Sequence, residues 1–270
     1  MSSVAMENSA EAREVRVLAR GLAILHVFAT SHPGEYHNPW LSNQQIADSV
    51  GLPRPTVSRL TANLTSAGYL EYSSKTAQYR LSRGALTLGY AAFLARDVFA
   101  VARPLLLSLA ETIDAAVILA TRDEMQMFCH EVHYGPDVSA LDLHPGSRLP
   151  LPWSAIGRAW LAGLPSATRE QVFGEICTNY PSHWASLEPA LQDAVSQFES
   201  NDFYVAADTP QDGTSWIATP LQLPRVSEKF VLGCARPRSR LSVSEFDLQT
   251  RREMLKVKRE IERRLEAACS

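Results

Sequence analysis

The sequence predicts an α+β fold in two parts: a small N-terminal winged helix-turn-helix, then a linker helix leading to a larger domain built on a sheet. Three observations predict it. Leu41 to Leu60 reads as two short helices around a tight turn, with small Ala47, Gly51 and β-branched Val57 at the offsets such a pair requires. Two short alternating runs follow at 69–72 and 78–81 around a polar turn, the pattern of a β-hairpin. Beyond residue 114, β-branched strand-like runs are interleaved with helical segments and closed by a long helix. The expected divisions are 1–81 for the winged helix with its N-terminal tail, 82–97 for the linker helix and 98–270 for the larger domain.

The totals fit this reading. A chain of 270 residues with 46% hydrophobic residues holds one large domain or two ordinary ones and is not globally disordered. No apolar run is long enough to span a bilayer, so no membrane partner is expected. Met1 to Arg20 is polar, with Glu7, Glu11 and Glu14, and lacks the apolar centre of a signal peptide. Cys129, Cys177, Cys234 and Cys269 form no C-x-x-C pair, so a reduced, cytoplasmic protein is expected. Residues 1–90 carry 8 Lys+Arg against 6 Asp+Glu, and the rest 18 against 23, so a balance of +2 is followed by −5 within the net charge of −3. A mildly basic end on an acidic body suits a nucleic-acid reader joined to something else.

In the first part, Val15, Leu18, Leu22, Leu25 and Phe28 give helix spacing with one apolar face, and Ser31 to Trp40 reads as a loop. Ser42 with Gln45 forms a capping box that opens the next helix, with Ile46 and Val50 facing inward. Gly51 supplies the left-handed turn residue at little steric cost. Pro53 and Pro55 mark the start of the second helix, where a missing N–H costs little. Val57, Leu60 and Leu64 form its inward stripe, and Gly68 suits its C-terminal end. Pro55, Ser58, Arg59 and Ala62 lie opposite, flanked by Thr56 and Asn63.

That outward face has the chemistry of a DNA reader. Arg59 has a planar fork matching guanine O6 and N7, and Asn63 can pair with adenine. Ser42, Arg54, Pro55, Thr56 and Ser58 stand where hydroxyls, charge and helix-start amides meet phosphates. In the hairpin, Lys75 at the tip and Arg80 are expected to meet phosphates as well. Two other readings stand beside this one: Arg54 and Arg59 as solvated helix charges, and a winged helix that binds protein.

In the second part, Ser82 to Ala95 is helical and apolar over a wide arc, with Leu86, Leu88, Tyr90, Phe93 and Leu94, which suits packing on a partner chain. Val98 to Ile113 continues as a helix, kinked or restarted at Pro104. Ala115 to Thr121 and Met125 to His133 form a hairpin of the sheet, and Asp142 to Leu151 a strand and loop. Ser154 caps a helix running through Leu164, and helices follow at Ala167–Cys177 and Leu187–Glu199. Phe203–Ala207, Ser215–Leu223 and Lys229–Ala235 read as strands. Ser242 with Glu245 opens a long last helix with Phe246, Val257, Ile261 and Leu265 on one face.

The chain resembles the IclR family of bacterial transcriptional regulators. The resemblance is carried by Arg20-Gly21-Leu22-Ala23-Ile24-Leu25, by Leu41 through Leu70, by Tyr79-Arg80-Leu81, by Pro104 to Ala110, and by Gly146-Ser147-Arg148-Leu149-Pro150-Leu151 followed by Ser154-Ala155-Ile156-Gly157-Arg158-Ala159. It implies a winged helix, a linker helix and a GAF-like α/β effector domain. It also implies a homodimer or homotetramer on a palindromic DNA operator, switched by a small organic acid. The resemblance places effector contacts at Ala155, Ile156 and Gly157, and at Asp208, Trp216, Gly233 and Ala235.

The free amides and positive dipole end of the helix opened by Ser154 suit a carboxylate, while the Ser154 hydroxyl either caps that helix or joins the site. Members that bind short keto acids resemble each other in a cysteine where Trp216 stands and serines where Gly233 and Ala235 stand. Losing two hydroxyls leaves room here, and an indole offers a stacking surface, which together point to an aromatic or larger carboxylate, and with it the resemblance implies control of a catabolic operon. Trp216 as plain core remains the alternative. The spacing from Asp208 to Trp216 is shorter than in those members, which weakens Asp208. Arg236 and Arg148 are candidates to neutralise an acid.

No catalytic motif is present, so the competing class, an enzyme acting on a small organic acid with an accessory DNA-binding domain, has no sequence support of its own. Glu111 and Asp114 are helical neighbours of solvated type. In Cys129-His130-Glu131-Val132-His133, strand alternation puts Cys129 and His133 on one side and His130 on the other, so no metal is expected, nor any cofactor.

Overall fold

The computed structural model describes residues 16–28, 40–94, 97–138, 141–206, 214–223, 226–237 and 243–268. The chain forms two compact units, Met1–Ala95 and Arg96–Ser270. That division falls within 82–97, and the helix read as a linker belongs to the first unit.

The first unit runs α1 (16–28), β1 (Leu41–Ser42), α2 (Asn43–Val50), α3 (Arg54–Ser66), β2 (Leu70–Ser73), β3 (Gln78–Leu81) and α4 (Arg83–Leu94). Its antiparallel sheet has the order β1-β3-β2, with Leu41 opposite Tyr79 and Tyr72 opposite Tyr79 on the other side. The two-residue β1 has no sequence signal, because it is defined by a partner almost forty residues away. Ile24, Phe28, Leu41, Ile46, Val57, Leu60, Leu70 and Tyr79 form the core. The face of α1 differs from the expected one. Leu18 and Leu22 are 65% and 58% exposed, while Ile24, Val27 and Phe28 are buried. So small a core is met only by the last turns of α1. Leu86 and Leu88 of α4 are exposed as well.

Both arms of the α2 capping box form: Gln45 N–H donates to Ser42 Oγ at 3.3 Å, and Ser42 N–H donates to Gln45 Oε1 at 2.9 Å. Gly51 takes φ 65° between α2 and α3. α3 ends with paired bonds, Gly68 N–H to Thr65 O at 3.0 Å and Tyr69 N–H to Leu64 O at 2.9 Å, around Gly68 at φ 82°. This is a Schellman closure, and it launches the wing.

The second unit runs α5 (Asp97–Ile113), β4 (Ala116–Asp123), β5 (Gln126–His133), β6 (Arg148–Pro150), α6 (Ala155–Ala162), α7 (Ser166–Asn179), α8 (Trp184–Asn201), β7 (Tyr204–Ala206), β8 (Thr214–Pro220), β9 (Phe230–Pro237) and α9 (Val243–Ala268). α5 is continuous through Pro104. The six strands are antiparallel in the order β6-β5-β4-β9-β8-β7. α6 packs on one face, backed by α7 and α8, while α5 and α9 pack against the strands with Val117, Leu119 and Leu232 turned away from α6. Ser242 of the expected α9 cap lies outside the described residues. Among the described residues no helix is long and apolar enough to cross a membrane.

One irregularity overturns the alternation expected for β5. Leu119 faces Glu131, but the next residue, Ala120, faces Cys129, so His130 is an extra residue in a β-bulge. Beyond the bulge the faces exchange. Cys129 shares the α6 side with Ala120, and His133, opposite Val117, lies on the other.

Candidate functional site

The first candidate surface is the outer side of α3. Helical spacing buries Val57, Leu60 and Thr61, and leaves Arg54, Pro55, Ser58, Arg59, Ala62 and Asn63 exposed with Thr56 half-buried. The 13-residue helix carries no acidic residue. Among the described residues neither Arg54 nor Arg59 has a carboxylate partner. The face therefore presents donors and positive charge, the complement of phosphates and guanine edges. Lys75 is exposed in the wing turn.

Two expected contacts of this surface are used internally. Ser42 spends its hydroxyl in the capping box. Arg80 faces Glu71 across the hairpin and binds its carboxylate through Nε at 3.1 Å and Nη2 at 3.0 Å, with the guanidinium 4.6 Å over the Trp40 ring. Opposite charges in directly facing positions pair, so in the free chain Arg80 staples the wing. One supporting residue escaped the sequence reading. Buried Thr61 Oγ1 lies 3.0 Å from Asn43 Oδ1 and 3.1 Å from Val57 O, tying α3 to the start of α2. A threonine in a buried stripe was the available signal, but its partner eighteen residues back was not.

The second candidate lies between α6 and the sheet. Ser154 is the N-cap of α6, and its Oγ accepts the Gly157 N–H at 3.1 Å. The hydroxyl is thus a cap, and the Ala155 and Ile156 amides remain as first-turn donors. Gly157 lies against the Leu151 backbone so closely that a Cβ would overlap its carbonyl oxygen. Facing α6, strand pairing sets Ala206, Trp216, Ala235 and Ala116 in one row across β7, β8, β9 and β4. One indole stands among alanines, with Tyr134, Trp153, Tyr180 and Tyr204 in the same apolar cluster.

The structure brings Ile156, Trp216 and Gly233 together, and this corrects the room expected at Gly233. A Cβ there would meet Ile156 Cγ1 at 2.9 Å and Trp216 at 3.9 Å, so the space is filled by Ile156. The row itself is buried at Ala116, Trp216 and Ala235, and only Ala206 is half-buried. Asp208 lies outside the described residues. Arg236 and Arg148 already hold carboxylates, Asp114 at 3.1 Å and Asp123 at 2.5 Å. On the opposite face of the sheet, burial works to raise the pKa of Glu131. Hydrogen bonds from His133 at 2.9 Å and Arg103 at 2.7 Å outweigh it, and the net shift is downward. Burial pushes the Cys129 thiol up to about 12, so it is inert as a nucleophile. Among the described residues no group of three or more His, Cys, Asp or Glu is placed to hold a metal.

Comparison with known proteins places this architecture. Residues 17–74 match the IclR helix-turn-helix domain, and residues 91–197 match the C-terminal domain of the bacterial transcriptional regulator IclR. The chain belongs to the IclR family. A solved IclR-family transcriptional regulator from Brucella abortus is 32% identical, with 91% of this chain and 90% of that one covered and a TM-score of 0.70. The HTH-type transcriptional regulator TsaQ1/TsaQ2 of Comamonas testosteroni is 28% identical over 85% of this chain and 81% of its own length. An IclR homologue from Microbacterium hydrocarbonoxydans, solved in complex with 4-hydroxybenzoate, shares the fold at 19% identity, with 93% and 99% coverage and a TM-score of 0.75. IclR-family proteins are transcriptional regulators, so the α3 surface belongs to a DNA-binding domain and the competing enzyme reading falls away. The α6 side of the second unit belongs to an effector-binding domain.

Proposed function

We propose that this IclR-family regulator binds a palindromic operator through α3 as a homodimer or homotetramer, senses an aromatic or other small organic carboxylate, and controls a catabolic operon from the cytoplasm. The observation that carries the DNA half is the acid-free outer face of α3, with Arg54, Pro55, Ser58, Arg59 and Asn63 exposed. Arg59 and Asn63 read bases, while Arg54, Thr56, Ser58 and Lys75 set register on phosphates. Exposed Leu18 and Leu22 on α1 and Leu86 and Leu88 on α4 support pairing with a second copy, since solvent alone gives apolar side chains on two helices no role.

The effector half rests on the row Ala206, Trp216, Ala235 and Ala116 facing the first turn of α6. An aromatic ring stacks on the Trp216 indole, and its carboxylate meets the Ala155 and Ile156 amides. The relative holding 4-hydroxybenzoate makes that compound the first probe. Effector binding alters the operator complex to the extent that its affinity differs between the free and DNA-bound arrangements. The test is a gel shift on the DNA upstream of the protein's own gene, with and without 4-hydroxybenzoate, over a range of salt. A retarded band whose affinity falls steeply with salt and changes with the acid is expected. Indifference to every duplex at low salt sinks the DNA half, and a band unmoved by aromatic acids sinks the effector half.

A further inference from the structure

We propose that Arg158, together with the Tyr204 hydroxyl, is the anion-recognising pair of the effector site and takes the carboxylate of a small aromatic acid. The proposal rests on the effector reading above and adds the group that neutralises the charge. The half-buried Arg158 guanidinium donates from Nε to Pro152 O at 3.0 Å and from Nη1 to Tyr204 Oη at 3.2 Å, and both acceptors are neutral. Its neighbours in this unit differ. Arg103, Arg122, Arg148, Arg169 and Arg236 each stand against a carboxylate. An arginine stays charged at any ordinary pH, and a partly desolvated charge without a counter-ion is costly.

Two further features point the same way. Arg158 sits in the first turn of α6, where the helix dipole disfavours a cation, so its charge and the free first-turn amides add to one positive locus. Tyr204 is 4% exposed, and its hydroxyl accepts from Arg158 with no acceptor for its own proton among the described residues. The remaining guanidinium N–H groups and the phenol O–H form a set of donors, and a carboxylate is an acceptor only. The locus also adjoins the indole. Ala206 faces Trp216 and Tyr204 faces Ala218, so Tyr204 and Trp216 are diagonal neighbours on one face, a separation of about 7–8 Å between backbones. In this arrangement the ring lies against Trp216 and its acid group against Arg158.

The experiment is calorimetric titration of the full chain with benzoate, 4-hydroxybenzoate and phenylacetate, each beside its neutral amide. Wild type is expected to bind at least one acid about tenfold or more tighter than its amide. Arg158→Met should erase that gap by weakening the acid alone, Arg158→Lys should keep part of it, and Tyr204→Phe should narrow it several-fold. Trp216→Ala should weaken acid and amide alike. A gap that survives Arg158→Met while Trp216→Ala still weakens both overturns the role of Arg158 and leaves the site standing. Failure to bind any acid or amide, or indifference to Trp216→Ala, overturns the site and this proposal together. If melting shows Arg158→Met unfolded, an unchanged gap in both Arg158→Lys and Tyr204→Phe overturns it.

Discussion

The outer face of α3 and the first turn of α6 are both helix surfaces bearing an arginine without a carboxylate, yet they are built in opposite ways. The α3 face is exposed, and everything that orients it is local or belongs to the neighbouring α2. The first turn of α6 is buried, and its shape comes from strands drawn from three separate stretches of chain. In the reading proposed above, the first recognises a ligand by leaving polar groups in water until it arrives, and the second by withholding an acceptor from donors already partly desolvated. Tolerance of substitution should differ accordingly.

The sharpest contrast is between two glycines. Gly157 is held against the Leu151 backbone, and no side chain can move aside to admit a methyl group. Gly157→Ala is expected to cost the second unit about 3 kcal/mol or more, lowering its melting point by roughly 6 °C or more. Gly51 has φ 65° but nothing within 4 Å of a Cβ, so Gly51→Ala should cost the first unit only about 1–2 kcal/mol. Calorimetric scans of the two variants make the comparison. Equal losses would mean that the second unit yields as readily as a turn.

A smaller effect separates reading from holding on α3. Arg59→Ala should weaken the specific operator complex by about 1–3 kcal/mol while changing melting little, because the side chain is exposed. Nonspecific duplex should lose much less. Gel shifts on operator and scrambled DNA in one buffer decide it, and equal losses on both would reduce Arg59 to a phosphate contact.

The same contrast explains what could be read from sequence. The two helices, the turn, the capping box and the exposed set from Arg54 to Asn63 follow from periodicity and cap chemistry within about twenty residues, and all are found. Strand existence in the second unit was equally local. Strand neighbours were not: that Ala206, Trp216, Ala235 and Ala116 share a row depends on pairings across the whole unit. The bulge at His130 reversed the faces of the residues after it, and nothing in Cys129-His130-Glu131 announces it. Gly233 misled for a related reason, since a missing side chain reads as room until the residue packed over it is known. The ion pair of Arg80 was hidden for the same reason, since the hairpin that presents it also places Glu71 opposite.

The mildest effect concerns the bulge itself, which sets Glu131 beside Arg103 and His133 on the side of the sheet away from α6. A carboxylate with a lowered pKa binds its proton more weakly in the folded chain than in the unfolded one. Its contribution is therefore complete above the ordinary value of 4.5 and is lost as the pH falls through the lowered folded value. Because Arg103 keeps half its side chain in water, that contribution is small, about 1 kcal/mol or less. Glu131→Gln should flatten the fall in the second unit's melting temperature on going from pH 6 to pH 3 and leave the first unit's profile unchanged. A wild-type-like acid slope in the variant would show that the bulge serves packing alone, and that the ion pair follows from it without stabilising it.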